Sequence, residues 1–352
     1  MALSVDIEKR LGDFRLRVRF ETDRELLALL GASGSGKSVT LRCVAGLMTP
    51  DRGRIVLNGR TLYDSEARID LPPQARRVGY LFQSGALFPH RTVLENVMLG
   101  YHRKPRARRR ALALEQLERF RLTPLADCLP ATLSGGERQR TALARTLAAE
   151  PEALLLDEPF SALDDYLKWQ LELELARILE ARGGDTVLVT HSRDETCRLA
   201  KSVCVLTHGR SEPLRSVAEM MTAPGTLGAA LLSGCKNLSP VTVRADGSLF
   251  CAAWAWTLPP EAFSAGSLSA GLTHVGVRAH SLRPGPGPIS LDCTVDRIID
   301  NVFSEIVMLR TPGPALLRLE REKATPVLQT GDPLTVHVSP GDLLLLTGGE
   351  TP

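Results

Sequence analysis

The sequence lacks the features that mark a membrane-spanning or secreted protein. No stretch approaches roughly eighteen uninterrupted apolar residues, so the sequence predicts no helix that crosses a bilayer. The first ten residues, MALSVDIEKR, reach a charge at Asp6 before an apolar leader segment can form. We therefore expect a protein that stays in the cytoplasm and does not enter a membrane by itself.

Paired cysteine patterns are also missing. The seven cysteines are odd in number, contain no C-x-x-C pair and lie at positions 43, 128, 197, 204, 235, 251 and 293. This usage argues against a disulfide framework and against a zinc site. The sequence therefore predicts buried, reduced thiols.

An excess of one charge sign is lacking too. The 43 Lys and Arg residues against 40 Asp and Glu residues leave a net charge of +3, so electrostatics alone does not indicate a nucleic-acid partner. What is present is ordinary globular composition, with 43% hydrophobic and 24% charged residues. At about 150 residues per domain, 352 residues are expected to form roughly two domains.

Short apolar runs alternate with helical patterns from the start of the chain to about Gly209. Such alternation predicts an α/β domain whose sheet is buried on both faces. The runs are Leu26–Leu30, Val78–Phe82, Leu154–Leu156 and Thr186–Thr190. Between two of them, Thr92–Leu133 carries repeated Leu and Ala among charged residues, and this segment predicts a helical insertion.

The rest of the chain has the pattern of a β protein. Val241–Trp254, with Asp246-Gly247 at its centre, predicts a β-hairpin. Further short strands are predicted at Glu305–Leu309 and Leu334–Val338, between breaks rich in Pro and Gly. A small β-barrel or sandwich is the expected fold.

A glycine-rich segment follows the first buried run. It reads GASGSGKS, fits G-x-x-x-x-G-K-[ST], and consists of Gly31, Ala32, Ser33, Gly34, Ser35, Gly36, Lys37 and Ser38. Glycines let backbone N–H groups and a helix dipole face phosphate oxygens, while Lys37 neutralises β- and γ-oxygens and Ser38 binds Mg²⁺. A plain glycine-rich turn does not account for the Lys-Ser pair. We therefore predict a phosphate-binding loop.

Two adjacent carboxylates, Asp157 and Glu158, end the apolar run at 154–156. Burial of such charges beside a sheet costs several kcal/mol unless a cation or partner compensates. Taken alone, the pair would be a solvated strand end. With a phosphate-binding loop in the same chain, we interpret Asp157 as the Mg²⁺ partner of Ser38, and Glu158 as the group that orients or deprotonates an attacking water.

A serine and two glycines stand at a predicted helix start in the segment LSGGERQR. Ser134 and Glu137 fit a capping box, which is a local structural role. A cap does not need the paired Gly135 and Gly136, and a serine followed by glycines at a helix start can form a second anion site. We expect both roles.

In this order the motifs resemble the nucleotide-binding subunit of an ABC transporter. The phosphate loop, Ser-Gly-Gly-Glu and Asp157-Glu158 are followed by Ser161–Asp164 and by His191 after the TVLVT run, and Gln83 completes the set. The resemblance implies an ABC-type α/β P-loop NTPase fold with a helical subdomain. The implied activity is ATP hydrolysis coupled to transport, with ATP and Mg²⁺ as cofactors.

The resemblance also implies the domain organisation. It covers roughly residues 1–235, with the helical subdomain at about 86–140. Residues 236–352 are then expected to form a C-terminal all-β regulatory module. Its last part, about 288–350, resembles a small OB-like or oxyanion-type module.

In the family that these motifs resemble, two such domains form a head-to-tail homodimer, and each ATP lies between one phosphate loop and the other subunit's signature. Carried over, Ser134, Gly135 and Gly136 would contact the γ-phosphate bound to the partner chain, with Glu137 in the same signature. Asp164 would work across the dimer interface.

Two further residues receive roles from the resemblance. Gln83 would sense Mg²⁺ and the attacking water and relay this to the membrane subunit. His191 would hold the γ-phosphate and keep Glu158 placed. A lone histidine at a strand end is otherwise a surface residue, but its position downstream of Asp157-Glu158 favours the functional role.

Two segments leave their interpretation open. Phe14, upstream of the phosphate loop, is the candidate for stacking on adenine and fits a strand core equally well. The run Arg103–Arg110 holds six basic residues in eight positions. Such a run is usually a solvated helix face, and attraction to anionic lipid headgroups is the alternative.

Several segments narrow the resemblance to the ATP-binding subunits of molybdate importers. Gly53–Arg60, Leu71–Gln83 and Ala86–His90 are similar to these subunits and fit the general importer pattern, and Leu87–His90 together with Thr190–Glu195 indicates molybdate. Gly234–Leu238 and Gly276–His280 also resemble a subgroup of these subunits. The Ser-x-Arg-Asn stretch of modules that bind molybdate is not visible at Ser290–Cys293. Dimer stabilisation or regulation is therefore expected of the C-terminal module, rather than oxyanion sensing.

The expected partners follow from the same resemblance. The protein would lie at the cytoplasmic face of the cell membrane as a peripheral ATPase, with integral-membrane permease subunits, a periplasmic or extracellular substrate-binding protein and no nucleic acid. Importers of sulfate, tungstate, ferric iron, a polyamine or a sugar are the alternatives within the class. A soluble ABC ATPase acting on DNA repair or the ribosome is the alternative outside it.

Overall fold

The chain divides into two units, residues 1–217 and residues 218–352. The computed structural model describes residues 3–82, 85–161, 163–263, 271–323 and 327–348. The division lies N-terminal to the predicted boundary at 235. Its physical reason is a buried cluster in which Leu227, Ala230 and Cys235 pack with Leu344 and Leu346 of the last strand, so that the segment before 235 belongs to the second unit.

The first unit is built from strands and helices that alternate along the chain. Its strands are β1 (Leu3–Leu11), β2 (Phe14–Thr22), β3 (Leu26–Gly31), β4 (Arg52–Leu57), β5 (Arg60–Asp64), β6 (Ile69–Asp70), β7 (Val78–Leu81), β8 (Ala153–Asp157), β9 (Asp185–Val189), β10 (Ser202–Thr207), β11 (Arg210–Ser211) and β12 (Arg215–Ser216). Its helices are α1 (Lys37–Ala45), α2 (Pro73–Arg76), α3 (Val93–Gly100), α4 (Arg106–Arg119), α5 (Gly135–Ala148), α6 (Asp165–Arg182) and α7 (Arg193–Leu199), with 3-10 turns at Thr123–Leu125 and Pro130–Thr132.

The described strands of this unit form one mixed sheet. Its order is β6-β5-β4-β1-β2-β11-β10-β3-β9-β8-β7, and β12 pairs with β10. Strands β10, β3, β9, β8 and β7 run parallel, whereas β1, β2, β4, β5 and β6 pair antiparallel. The parallel part brings the carboxyl ends of β3, β9, β8 and β7 to one edge of the sheet, where ligands of such sheets bind.

The central parallel strands are buried on both faces, which confirms the predicted α/β class. Every residue of β3, β8 and β9 is buried. Along β8, Leu155 packs into a core with α1, while Leu154 and Leu156 pack into a second core with α3 and α5. This alternation follows the two-residue period of a strand, and each fully buried leucine contributes about 1.5–3 kcal/mol.

The predicted helical insertion consists of α3, α4 and the two 3-10 turns, and α5 continues it to Ala148. Buried Asn96 fixes the loop before α3, because its Oδ1 accepts from Phe88 N at 2.9 Å and its Nδ2 donates to the carbonyls of Arg91 and Thr92 at 3.0 Å. Among the described residues, no helix is long and apolar enough to cross a membrane.

The second unit begins with two short helices, α8 (Val217–Thr222), which starts at the last residue of the first unit, and α9 (Leu227–Leu232). Strands follow: β13 (Asn237–Val243), β14 (Leu249–Cys251), β15 (Trp256–Leu258), β16 (Leu272–Val277), β17 (Arg283–Pro284), β18 (Ile289–Asp300), β19 (Ser304–Arg310), β20 (Leu316–Glu322), β21 (Pro333–Val338) and β22 (Leu343–Thr347), with 3-10 turns at Pro260–Ala262 and Pro340–Asp342. They form two five-stranded sheets, β15-β14-β13-β16-β22 and β17-β21-β18-β19-β20. The β-rich C-terminal module is confirmed.

The hairpin predicted at Val241–Trp254 is present, although its second strand is shorter. Val243 pairs with Leu249, and Asp246 Oδ1 accepts from Ser248 N at 2.9 Å in the turn. Gly247 has a φ of +83°, a conformation that glycine adopts without strain. The dipeptide therefore specifies the turn by local chemistry.

The segments Gly234–Leu238 and Gly276–His280 lie side by side. Leu238 pairs with Gly276, and the Cys235 thiol donates to the carbonyl of Val277 at 3.5 Å. A Cβ on Gly276 would lie 3.1 Å from Cys235 Sγ, so this glycine makes room for the thiol. Their shared role in this structure is packing within the second unit.

Candidate nucleotide-binding site

Three of the predicted functional segments meet at the carboxyl edge of the parallel strands. The glycine-rich loop leaves β3 after Gly31, Asp157 ends β8, and His191 follows β9. These strands are neighbours in the order β3-β9-β8. Gln83 follows β7, the next strand of the sheet, but lies outside the described residues.

The glycine-rich loop needs its glycines for space and for backbone conformation. Gly34 and Gly36 have φ values of +79° and +104°. A Cβ on Gly36 would lie 2.4 Å from Leu16 Cδ1, and one on Gly31 would lie 2.4 Å from the carbonyl oxygen of Leu206. Gly36 caps α1 without a side-chain hydrogen bond. The first N–H groups of α1 are therefore open to an anion.

Lys37 is largely buried and turned back over this loop. Its Nζ donates to the carbonyl oxygens of Gly31 at 2.7 Å and Ala32 at 2.9 Å. Burial lowers the Lys37 pKa, and the charges of Glu158 and Asp157 oppose that change. An ammonium group has three donors, so one remains for a further acceptor.

Ser38 lies next to Asp157, the residue predicted to share Mg²⁺ with it. Ser38 Oγ donates to Asp157 Oδ1 at 3.1 Å, and Tyr80 Oη donates to Asp157 Oδ2 at 3.0 Å. Burial is the main cause that raises the Tyr80 pKa, so this phenol stays a donor. Hydroxyl and carboxylate oxygens are ligands that Mg²⁺ prefers. In the described residues no cluster of three or more His, Cys, Asp or Glu side chains forms a metal site of protein ligands alone.

Sequence reasoning missed Tyr80, because nothing in the run VGYLF marks its hydroxyl as functional. The available signal was a tyrosine in a buried strand of a parallel sheet, since buried phenols generally have a hydrogen-bond partner.

Glu158 stands in an unusual backbone conformation beside His191. Its φ is +50°, and its N–H donates to the carbonyl of Val189 at 3.0 Å. His191 Nδ1 lies 3.6 Å from Glu158 Oε1, and the two side chains are 72% and 24% exposed. The structure thus brings together the predicted base and the predicted histidine, with both open to solvent.

A second missed residue, Gln139, connects the α5 helix to the backbone of Glu158. Buried Gln139 donates through Nε2 to the carbonyl oxygen of Glu158 at 2.7 Å. The hydroxyl of Ser161 donates to the same oxygen at 3.1 Å. A glutamine on the second turn of the helix was the only signal, and its contact depends on tertiary packing.

The Ser134–Glu137 segment forms the expected capping box at the start of α5. Ser134 Oγ accepts from Glu137 N at 3.3 Å, and Glu137 Oε2 accepts from Ser134 N at 2.7 Å. These hydrogen bonds from Ser134 lower the Glu137 pKa. In the part of the chain that the structure describes, no hydrogen bond or ion pair joins this segment to the phosphate loop of the same chain.

Asp164 is the N-cap of α6, where its Oδ1 accepts from Leu167 N at 3.0 Å. A network that sequence reasoning missed connects α6 to the histidine loop. Buried Glu195 pairs with Lys168 of α6 at 2.5 Å and accepts from Thr190 Oγ1 at 2.5 Å. Its carboxylate therefore ties the residue before His191 to the helix that Asp164 caps.

Phe14 lies against both the core and the phosphate loop. It is half-buried and packs on the core beneath the sheet. Its Cζ would lie 3.2 Å from a Cβ on Gly36 and 3.1 Å from one on Gly209. The ring therefore borders the loop, and its stacking role stays a prediction.

Comparison with known proteins agrees with this geometry. The family model described as "ABC transporter" matches residues 17–161. A molybdate/tungstate import ATP-binding protein of Archaeoglobus fulgidus is 42% identical over 246 residues, which cover 70% of this chain and 100% of that protein. The chain belongs to the ABC transporter family.

Other relatives are named for the import of molybdenum or of sulfate and thiosulfate. A molybdenum import ATP-binding protein of Paramagnetospirillum magneticum is 41% identical over 223 residues, 63% of this chain and 61% of that protein, so the match spans less than two thirds of its length. A sulfate/thiosulfate import ATP-binding protein of Synechococcus elongatus is 37% identical over 301 residues, 83% of this chain and 80% of that one.

A solved ABC structure has the same fold as the first unit. It is the dimeric ATP-binding cassette MJ0796 in a post-hydrolysis state bound to ADP and Pi, with 29% identity, a TM-score of 0.54 and coverage of 62% of this chain and 99% of that chain. The ABC-type P-loop fold predicted from the motifs is therefore confirmed.

Proposed function

We propose that this chain binds Mg-ATP and hydrolyses it as the ATP-binding subunit of an ABC importer. The observation that carries the proposal is the contact of Ser38 with Asp157 at the edge of the sheet, beside the uncapped N-terminus of α1. These groups fit a triphosphate with its metal, because the loop offers N–H donors and Lys37 to the phosphates and two oxygens to a cation.

The phosphate loop holds the nucleotide in this proposal. Gly31, Ala32, Ser33, Gly34, Ser35, Gly36, Lys37 and Ser38 surround the phosphates. Ser35 Oγ is buried without a hydrogen-bond partner, and an incoming phosphate oxygen would accept from it. Phe14 stacks on the adenine from its position beside Gly36.

Ser38 and Asp157 hold Mg²⁺, with Gln83 as a third candidate. When bound, the metal supplies positive charge that offsets the charge of the phosphate oxygens. Asp157 suits this role because both hydrogen bonds to its carboxylate come from neutral hydroxyls, which orient the carboxylate without neutralising it.

Glu158 is the general base and His191 its neighbour in the reaction. Glu158 takes a proton from a water whose oxygen forms a bond to the γ-phosphorus, while the bond to the bridging oxygen of ADP breaks. His191 contacts the γ-phosphate and keeps the carboxylate in place, which agrees with the 3.6 Å separation of their side chains.

Two chains act together in this proposal. Ser134, Gly135 and Gly136 of one chain contact the γ-phosphate bound to the other, and Asp164 works across the interface. This is supported by the position of these residues at the solvent-facing starts of α5 and α6, away from the phosphate loop of their own chain. The related cassette of known structure is a dimer.

The proposed complex includes a permease in the membrane and a substrate-binding protein outside it. The chain then lies at the cytoplasmic face of the membrane. Molybdate is the proposed cargo, because Leu87–His90 and Thr190–Glu195 resemble the segments of molybdate importers, and relatives named for molybdate or molybdenum import share 41–42% identity with this chain. Sulfate is the second candidate, since a sulfate/thiosulfate importer subunit matches over 301 residues. The C-terminal module stabilises the dimer or regulates hydrolysis.

The dimer is tested by light scattering of Glu158→Gln with and without Mg-ATP. We expect a monomer without nucleotide and a dimer with it, because ATP binds but is hardly hydrolysed. Adding Ser134→Arg to Glu158→Gln should abolish the dimer while nucleotide binding persists, whereas Thr132→Arg, two residues away, should not. A dimer that survives Ser134→Arg would contradict the composite site.

Cargo is tested by uptake in cells that express the chain with its permease and binding protein. ATP-dependent uptake of molybdate that sulfate does not compete with would support the molybdate proposal. Uptake of sulfate alone would overturn that proposal and leave the ATPase proposal intact.

A further inference from the structure

A basic groove lies among α4, α5 and α6, outside the nucleotide site. Its volume is about 200 Å³, and four arginines line it: Arg119, Arg121, Arg140 and Arg177. Glu174 is the one acidic residue of this lining, and apolar side chains of α6, including Leu171, complete it. The groove therefore carries an excess of positive charge in a chain whose total charge is nearly balanced.

The arginines of this groove are not paired with carboxylates. No ion pair among the described residues involves any of the four, whereas elsewhere in the same unit Arg198 pairs with Glu172 at 2.5 Å and Arg77 with Glu152 at 3.0 Å. Arg121 donates to the neutral amide oxygen of Gln170.

Arg140 is the arginine of this groove that has a buried donor, Nε, without a hydrogen-bond acceptor. Burial is also the main cause that lowers the pKa of its guanidinium. The charge of Glu137 opposes this change, that of Arg121 adds to it, and that of Asp164 opposes it. Arg140 also lines the groove, and no hydrogen bond from its guanidinium exists among the described residues, so an anion in the groove would supply acceptors that the protein does not.

We propose that this groove binds a tetrahedral oxyanion, free or as a phosphoryl group. The planar guanidinium fork donates two parallel hydrogen bonds to two oxygens of such an anion. Several guanidinium groups around one groove can therefore surround a divalent anion from different sides. Sulfate, molybdate and phosphate share this chemistry. Their relative affinities show which of these anions the groove prefers.

A ligand in this groove would contact three helices at once. Arg140 belongs to α5, which begins at the Ser134 signature, and Gln170 belongs to α6, which Asp164 caps. An anion in the groove would connect these two helices with the end of α4. The inference does not depend on ATP hydrolysis, because binding alone is measured.

The anion is titrated against the full chain while fluorescence of Trp169 is recorded. Trp169 is 51% exposed and precedes Gln170, whereas the other two tryptophans, Trp254 and Trp256, are buried in the second unit. Saturating Mg-AMP-PNP fills the phosphate loop, and NaCl keeps the ionic strength constant. We expect saturable binding of at least one of sulfate, molybdate and phosphate, with a Kd of about 1 mM or lower.

Matched variants locate the site. Arg140→Met, and separately Arg119→Gln with Arg177→Gln, should weaken binding at least about tenfold. Arg106→Gln with Arg108→Gln removes two arginines from exposed positions of α4 and should leave the Kd unchanged. If Arg140→Met does not fold, the loss of affinity in Arg119→Gln with Arg177→Gln decides whether the groove is the site.

Three results would overturn the proposal. They are a linear, unsaturable signal, an equal loss of affinity in the Arg106/Arg108 control, and an unchanged Kd in both groove variants.

Discussion

Asp157 illustrates how single residues prepare the site for its ligands. One of its oxygens accepts from Ser38 of α1 and the other from Tyr80 of β7. Neutral donors orient the carboxylate without cancelling its charge, which suits a cation. Lys37 supplies the opposite charge on the phosphate loop. The hydrogen bonds of Lys37 and Asp157 offset the free-energy cost of burying both groups.

Glu195 is the residue whose removal most sharply tests the link between the histidine loop and α6. Glu195→Gln loses the ion pair with Lys168 but keeps an acceptor for Thr190. We expect the free energy of unfolding to fall by roughly 2 kcal/mol, because a buried charged hydrogen bond is lost. Chemical denaturation of both proteins measures the difference.

The matched control for Glu195→Gln is the exposed neighbour Asp194. Asp194→Asn removes the same charge from the same helix and should change stability by less than about 0.5 kcal/mol. Equal effects of both variants would show that the Glu195 network does not stabilise the histidine loop.

At the scale of elements, the helix that follows the phosphate loop is held at its far end by a buried arginine. Arg76 is fully buried and donates to the carbonyls of Cys43 at 2.8 Å and Val44 at 3.0 Å, at the end of α1. It also donates to Leu71 O and pairs with Asp70, both at 2.7 Å. A cation at a helix C-terminus complements the helix dipole.

Replacing Arg76 should therefore destabilise the first unit. Arg76→Met retains much of the side-chain volume, but it leaves the Val44 carbonyl without a donor and Asp70 without its buried partner, and we expect a loss of about 3 kcal/mol. Exposed Arg52→Gln is the control and should have almost no effect. Thermal unfolding monitored by circular dichroism compares them, and an unchanged midpoint for Arg76→Met would refute this role.

Elements and motifs were predictable where the signal is local. The runs at Leu26–Leu30 and Thr186–Thr190 correspond to β3 and β9, and the capping box at Ser134 is present. Contacts between distant segments were not predictable. Tyr80 reaches Asp157 and Gln139 reaches the carbonyl of Glu158 only because the sheet and α5 pack together.

At the scale of the whole molecule, the boundary between the two units shows the same limit. Composition indicates a change from an α/β to a β pattern, but it does not indicate to which unit the residues between 218 and 235 belong. That assignment depends on the packing of Cys235 against Leu344 and Leu346, far along the chain. The two-domain organisation itself was within reach of length and pattern.

The cysteines give a test that covers both units. Five of the seven are buried, namely Cys43, Cys204, Cys235, Cys251 and Cys293, whereas Cys197 is exposed and Cys128 is intermediate. Burial raises the thiol pKa of Cys43 to about 11 and of Cys251 to about 12, so their reactive thiolates are scarce at pH 8.

We expect one thiol to react rapidly with Ellman's reagent in the native protein, and Cys197→Ser should remove that phase. The buried thiols should react only after unfolding in guanidinium chloride. Rapid labelling of five or more thiols in the native state would contradict the packing of both units.

The most direct test of the central claim is the rate of ATP hydrolysis by the purified chain. With saturating Mg-ATP, Glu158→Gln should bind the nucleotide as the unaltered chain does but hydrolyse it at least about 100-fold more slowly, because the base is lost. Glu180→Gln, which removes an exposed glutamate from α6, should keep the full rate. Hydrolysis by Glu158→Gln at the rate of the Glu180→Gln control would contradict the assignment of Glu158 as the base.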